Sequence, residues 1–403
     1  MSNLRVTKAA ILLPCPDRDF ERQICKCLGS KHSISITIPY PFLPHQIESD
    51  RMNSLPQQLN VASLVWELGE LHAVQGQVVE ELGFGHRFFR YDEPIPDGTD
   101  IVLVQGPYGS LRPLAAQLAT LPISTRPLLV YWFGESLQFL PSDFLTRRAA
   151  KMFSELTRTS LDNRWLRDPY SKSPAGFPFN KGHRLGFLGD IQWLHQRGLL
   201  DVLALCSTVY ATYLNGLGID SCVVPRGYHP RYGQLLGRER DITLLWMGKP
   251  RSKRRWNWIN QLRRELESMG EIMHVYDGVE NAFIFGEQRT QLLNRTQFVL
   301  NLNAYGPQDE LSIRYFIAAA NGAVVLGEPN ANRYPFIPGK HLVECRPEEM
   351  VEVISHYLRH PNEREQIAAD MHEFIRTELT LSNSIKTVLD RACSVGLQRQ
   401  RNM

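Results

Sequence analysis

Residues 311–329 read LSIRYFIAAANGAVVLGEP. The first part predicts an apolar helix whose single charged residue, Arg314, lies in the first turn. The helix stops at Asn321-Gly322 and passes straight into an apolar strand, AVVLGEP (323–329). Gly322 permits the left-handed conformation that ends many helices, so helix and strand share a minimal turn. A cation in a first helical turn opposes the helix macrodipole. An anionic partner would relieve that cost: a ligand, or Asp309 and Glu310 just upstream. An internal salt bridge and a ligand contact are equally open here.

Outward from this join the alternation continues. FVLNLNAYG (298–306) reads as the preceding strand and FGEQRTQLLNRTQ (285–297) as the helix before it. IMHVYDG (272–278) is a strand, 255–269 a helix and ITLLWMG (242–248) a strand; HLVEC (341–345) and three helices follow. The first half repeats the theme. AAILLPC (9–15) predicts a strand. Val61, Leu64, Val65, Leu68, Leu71, Val78 and Leu82 recur mostly at helical spacing, which predicts a helix over 61–82. Strands are expected at 86–92, 99–106, 126–134 and 221–227, with a helix near 110–120 and a strand plus helix within 199–218. The polar, glycine-containing segment 228–241 interrupts the series. The class predicted is α/β, with two Rossmann-like domains facing a cleft. Their bounds are 1–227 and 242–380, with 228–241 as linker and 381–403 as a helix and tail packing back on the first domain. Ligands of such sheets sit beyond the carboxyl ends of the strands.

The totals agree with a two-domain globular chain: 403 residues, 43% hydrophobic and 22% charged, with a net charge of +3. That weak basic excess gives no support to nucleic-acid binding. Seven cysteines include no CxxC pair, and Cys25 and Cys27 form a lone CxC without further ligands. Reduced thiols fit best, and neither a metal nor a cofactor is expected. The apolar run AAILL is short and ends at Pro14 and Pro16, unlike a signal peptide. No stretch reaches the ~20 apolar residues of a membrane span, so a cytoplasmic protein is expected.

The loop GKPRSKRR (248–255) follows a strand and leads into a helix. Gly248 ends the strand; Lys249, Arg251, Lys253, Arg254 and Arg255 then crowd a helix N-terminus, where free N–H groups already favour anions. A phosphate or diphosphate would fit, although a solvated basic turn has the same composition. Neither a GxxxxGK[ST] P-loop nor a GxGxxG fingerprint is present. Asn301, Asn303 and Tyr305 lie at the carboxyl end of a predicted strand, and Ser312 suits the N-cap of the next helix. In the first half, Glu135 follows a buried strand and is the candidate base or acceptor contact. His183 and Asp190 are alternatives, though Asp190 also suits a cap for the helix IQWLHQRG. Residues 142–184 mix aromatic residues with Arg and Lys. An anionic membrane surface, a lipid-linked acceptor, an active-site lid and a solvated helix with a loop all remain open for them.

The carboxyl half, roughly 205–392, resembles the donor domain of GT-B glycosyltransferases, in particular the "glycosyl transferases group 1" type and its spore-maturation-protein-like branch. The resemblance rests on CSTVYATYLNGLGIDSCVVPRGYHPRYG, ITLLWMGKPRSKRR, IMHVYDG, and FVLNLNAYG with LSIRYFIAAANGAVVLGEP. It implies a nucleotide-sugar donor bound in the carboxyl domain, an acceptor in the amino domain, and transfer without a metal. Lys253 or Arg251 would meet the donor diphosphate, and Gly248 and Lys249 lie in the same loop. Ser312 and Arg314 would sit at the phosphate end of the helix, with Asn303, Tyr305 and Glu310 nearby and Gly322 holding the turn. The family often has two glutamates eight positions apart, the second five residues before the glycine. Here those positions hold Asp309 and Ile317. Ile317 cannot accept a hydrogen bond from a ribose hydroxyl. Either the donor contact is altered, or Glu310 or Glu328 supplies it, or sugar is no longer transferred. A catalytically inactive nucleotide- or glycan-binding protein and a nucleotide-sugar epimerase are the alternatives.

Overall fold

The computed structural model describes residues 59–65, 70–90, 92–106, 111–139, 142–159, 176–250, 252–304 and 312–401. The strand expected at 9–15 lies outside them, as do Arg251, Tyr305, Asp309 and Glu310.

Two all-parallel sheets form the structure. The first has six strands in the order β2-β1-β3-β4-β5-β6. These are β1 (Asn60–Val65), β2 (Gly85–Arg90), β3 (Ile101–Gln105), β4 (Leu128–Phe133), β5 (Val202–Leu205) and β6 (Cys222–Val223). Among the described residues five helices connect them: α1 (Glu70–Glu81), α2 (Arg112–Thr120), α3 (Asp143–Thr159), α4 (Gly176–Gln196) and α5 (Thr208–Gly216). The single helix expected over 61–82 is therefore a strand and a separate helix. Val61, Ala62, Leu64 and Val65 fit a short buried strand as well as a helical turn. Pairing decides it, because β1 lies between β2 and β3, with Val61 opposite His86 on one side and Ile101 on the other.

Strand side chains alternate between the two faces of a sheet. Both faces are covered here, so the strands read as continuous apolar runs rather than alternating ones. On one face Ala62, Val102, Leu129, Tyr131 and Leu203 meet Leu114 and Leu118 of α2, Leu188 and Ile191 of α4, and Tyr210 and Leu214 of α5. On the other, Val61, Ile101, Leu103, Val130 and Trp132 meet Val74 and Val78 of α1 and Leu381, Ile385, Val388 and Leu389 from the far end of the chain.

The second sheet has the order β11-β10-β9-β7-β8. It contains β7 (Ile242–Met247), β8 (Met273–Tyr276), β9 (Thr296–Asn301), β10 (Val324–Gly327) and β11 (Val343–Glu344). Its helices are α6 (Lys253–Ser268), α7 (Gly286–Asn294), α8 (Arg314–Ala320), α9 (Met350–Arg359) and α10 (Pro361–Thr377); α11 (Leu381–Arg401) ends the chain. Leu245, Val299 and Val325 pack under α7, α8 and α10. Leu244, Trp246, Phe298 and Leu300 pack under α6 and α9.

The chain passes between the two units twice, and the two passages touch. Tyr228 N donates to Leu379 O at 2.8 Å, and Leu381 N donates to Tyr228 O at 2.7 Å. A Cβ on Gly227 would lie 2.2 Å from the carbonyl of Thr380, so only glycine fits between them. Segment 228–241 packs on the second unit through Arg240. Its guanidinium donates to Leu293 O at 3.0 Å, Thr296 O at 2.5 Å and Asn321 O at 2.8 Å.

Candidate functional site

In the second sheet the chain runs from β7 outward to β8 and then crosses back to β9 on the other side of β7. The carboxyl ends of β7 and β9 therefore form a topological switch point, where open α/β sheets leave a ligand crevice. Arg314 lies across it. Its Nε donates to Met247 O at 2.7 Å, and its Nη1 to Asn301 Oδ1 at 3.0 Å and Ser312 Oγ at 3.1 Å. The guanidinium carbon stands 4.5 Å from the centroid of the Trp246 ring, close enough for a cation–π contact. Among the described residues, three neutral oxygens and an aromatic face hold this cation, which the macrodipole alone would not favour. Gly248 follows at φ +106°, and Arg314 Nη2 lies 3.2 Å from where a Cβ on Gly248 would stand.

The regular helix runs from Arg314, and Ile313 before it already has helical backbone angles. Ser312 Oγ accepts from Arg314 N at 3.3 Å, the bond a capping hydroxyl makes two residues into a helix. Ser252 caps α6, accepting from Arg255 N at 3.2 Å.

The basic loop divides into two sets. Lys249 and Lys253 are exposed and make no ion pair with a described residue. Arg254 forks onto Glu328, with Nη1 at 2.9 Å from one oxygen and Nη2 on the other, and Nη1 also reaches Asn303 O at 3.1 Å. Arg255 is buried, with Nε on Leu302 O at 2.8 Å.

Glu328 is buried where β10 ends and also accepts from Asn303 N at 2.6 Å. Its carboxylate is therefore occupied in holding the carboxyl ends of β9 and β10 to α6. A polar chain continues from there. Asn303 Oδ1 accepts from Asn330 Nδ2 at 3.3 Å, Asn330 Oδ1 accepts from Asn332 N at 2.7 Å, and Asn332 Oδ1 accepts from Ser207 Oγ at 2.5 Å. Ser207 N-caps α5 at the carboxyl end of β5, so this chain joins the carboxyl edges of the two sheets. The sequence gives no signal for it, because its members are up to 125 residues apart.

Residues 252–390 match the family model described as glycosyl transferase-like. Among solved structures, sucrose-phosphate synthase from Thermosynechococcus elongatus aligns over 85% of this chain and 99% of its own, with 9% identity and a TM-score of 0.51. The chain has the GT-B fold. HepE from Anabaena in complex with UDP-glucose aligns over 84% of this chain and 100% of its own, with 9% identity and a TM-score of 0.49. A glycosyltransferase from Rickettsia africae aligns over 84% and 98%, with 10% identity and a TM-score of 0.45. No curated protein matches the sequence. The family match does not reach the spore-maturation-protein-like branch.

Within this GT-B carboxyl domain, Ile317 is only 8% exposed and packs among Tyr315, Phe316 and Phe336. That position is part of the core. Gly322, at φ +68°, makes the turn at the end of α8 remote from Arg314, where a Cβ would meet Arg240 Nη2 at 2.6 Å. It holds the turn and does not join the cluster at the switch point.

In the GT-B amino domain, Glu135 is half-buried just past the carboxyl end of β4. The preceding carbonyl, Gly134 O, accepts from Arg226 Nη2 at 2.7 Å. Asp190 does not start a helix; it lies within α4 and is buried against α3. Gly189 beside it lets the two helices pack closely, since a Cβ there would lie 2.1 Å from Ala150 O. Asp190 accepts from Ser154 Oγ at 2.5 Å and stands 3.6 Å from Arg112 Nε. Burial raises its carboxyl to about pH 6, against the opposing pull of Ser154 and Arg112. Closed in by these partners, it ties α2, α3 and α4 together. His183 falls in α4, but its side chain is outside the described set. Among the described residues no helix is long and apolar enough to cross a membrane.

Proposed function

We propose that the protein is a glycosyltransferase that moves a sugar from a nucleotide-sugar donor, held by the carboxyl domain, to an acceptor held by the amino domain. The observation that carries this reading is Arg314 fixed across the β7/β9 switch point, beside two exposed lysines, in a domain with a glycosyl transferase-like match. Lys249 and Lys253 would meet the diphosphate, and Arg314 would face its charge as the bond to the sugar breaks. These cations offset the leaving-group charge without requiring a metal. Glu135, at a strand end of the opposite sheet, is the acceptor contact or base in this reading. Nucleoside diphosphates should therefore raise the thermal midpoint of the protein. The Lys249→Ala/Lys253→Ala double variant should lose most of that shift while unfolding normally without ligand, because both side chains are exposed. No response to any nucleoside diphosphate would sink the proposal.

The acceptor side carries a second feature. Along α3, Phe144, Leu145 and Met152 are 64%, 50% and 52% exposed, and Arg148 and Lys151 share that outward side. Apolar tips interleaved with cations suit a peripheral contact with an anionic membrane surface and hence a lipid-linked acceptor. Sedimentation with vesicles containing phosphatidylserine should pull down the wild type, and Phe144→Ser/Leu145→Ser should remain in the supernatant. Equal recovery of both would refute the contact.

A further inference from the structure

We propose that His356, His360 and Glu363 form a site for one divalent transition-metal cation at the corner between α9 and α10. The site is remote from the switch point, and it does not depend on the donor reading. His356 and His360 are one helical turn apart, so both imidazoles project from the same side. Their ring centroids are 4.3 Å apart and the planes differ by 24°. Glu363 enters from the first turn of α10. One ligand atom from each of the three lies within 4.8 Å of the other two.

Two details point to a ligating arrangement. His360 Nδ1 lies 2.8 Å from His356 O. A carbonyl oxygen only accepts, so Nδ1 carries the hydrogen and the neutral ring presents its lone pair at Nε2. A bond of this type fixes the tautomer of a metal-bound histidine. Second, His356 Nε2 and Glu363 Oε2 are 3.1 Å apart. Two ligands on a tetrahedral ion with bonds of ~2.0–2.2 Å sit about 3.4 Å apart, so this pair needs only a few tenths of an ångström of movement, while the His360 ring has to turn out of its stack on His356 to bring Nε2 to the same ion. His360 and Glu363 are exposed and free to adjust. Nearby cations are directed elsewhere: Arg359 Nε donates to Ser355 O at 3.1 Å, and Arg364 Nη2 stands 3.7 Å from Glu365. Two imidazoles and a carboxylate suit Zn2+, Ni2+ or Cu2+ and not Mg2+ or Ca2+. The ion would tie the last turn of α9 to the first turn of α10. His372 of α10 in turn bonds Ala319 O of α8 at 2.8 Å.

Isothermal titration of the full chain, with any polyhistidine tag removed, tests this with ZnCl2 and MgCl2. One equivalent of Zn2+ should bind saturably and raise the thermal midpoint, and Mg2+ should do neither. His360→Ala and Glu363→Gln should each weaken Zn2+ binding by about tenfold or more. Both should unfold like the wild type in EDTA, so a lost signal reports the site and not the fold. The proposal is overturned by an absence of saturable Zn2+ binding, or by binding that persists in His356→Ala/His360→Ala, which would place the ion on the cysteines or elsewhere.

Discussion

A chain ending at Thr380 is expected to lose cooperative folding of its amino-terminal sheet. The lost helix, α11, contributes Leu381, Ile385, Val388 and Leu389, all at most 3% exposed, to the face formed by Val61, Ile101, Leu103, Val130 and Trp132. Each such side chain stabilises by ~1.5–3 kcal/mol when fully buried, so the four together amount to about 6–12 kcal/mol. The total stability of a domain is about 5–15 kcal/mol. The truncation therefore removes an amount comparable to the whole margin and exposes a broad apolar face. Loss of the exposed Arg391–Asp220 pair adds little. The buried end of Asp201, held by Arg399 and by Leu129 N at 2.7 Å, would lose one partner as well. Leu389→Ala is the graded version, with an expected cost of ~2–5 kcal/mol. Urea unfolding followed by circular dichroism measures both, and an unchanged midpoint in the truncated chain would contradict the packing argument.

Replacing Arg314 should affect the donor crevice most. Arg314→Ala removes the cation and leaves Met247 O and Asn301 Oδ1 without their donor. A hydrogen bond to a charged group contributes ~1.5–3 kcal/mol, so nucleoside diphosphate affinity should fall by about 10- to 150-fold. Stability without ligand should fall too, because acceptors inside the fold lose a partner. Arg314→Lys separates the two effects. It keeps the charge but cannot present the planar fork to three acceptors. Partial recovery of nucleotide binding with poor recovery of stability is the expected pattern. If Arg314→Ala binds nucleotide as tightly as the wild type, the arginine is purely structural.

The alternation of apolar runs made the fold class legible, because parallel strands buried on both faces carry no polar interruptions. The same property hid β1. Val61, Leu64 and Val65 satisfy a helical template, and only their pairing with β2 and β3 distinguishes the two. In the candidate site, the basic loop and Arg314 could be read from local sequence. Which cations face outward could not. Helix phase buries Arg255, an ion pair draws the exposed Arg254 onto Glu328, and Lys249 and Lys253 are left outside. Glu328 was legible as an acid near a strand end, but its partner lies 74 residues away, and local spacing carries no trace of such a pairing. Asp190 suits a cap by residue type alone; its burial at the contact of α3 and α4 depends on Ser154, 36 residues away, and on Gly189 letting the two helices touch.

The double passage at Gly227 and Thr380 also has a consequence in time. In chain order, the second unit is an insertion between β6 and the helix that completes the first. On the ribosome, β1 to β6 emerge before the second unit, yet the part of one sheet face that α11 covers stays open until residues 381–401 are made. The carboxyl domain can close its own sheet before then. Synthesis order and folding order are thus reversed for the two halves, and the earlier one must wait with part of its apolar face uncovered, open to chaperones.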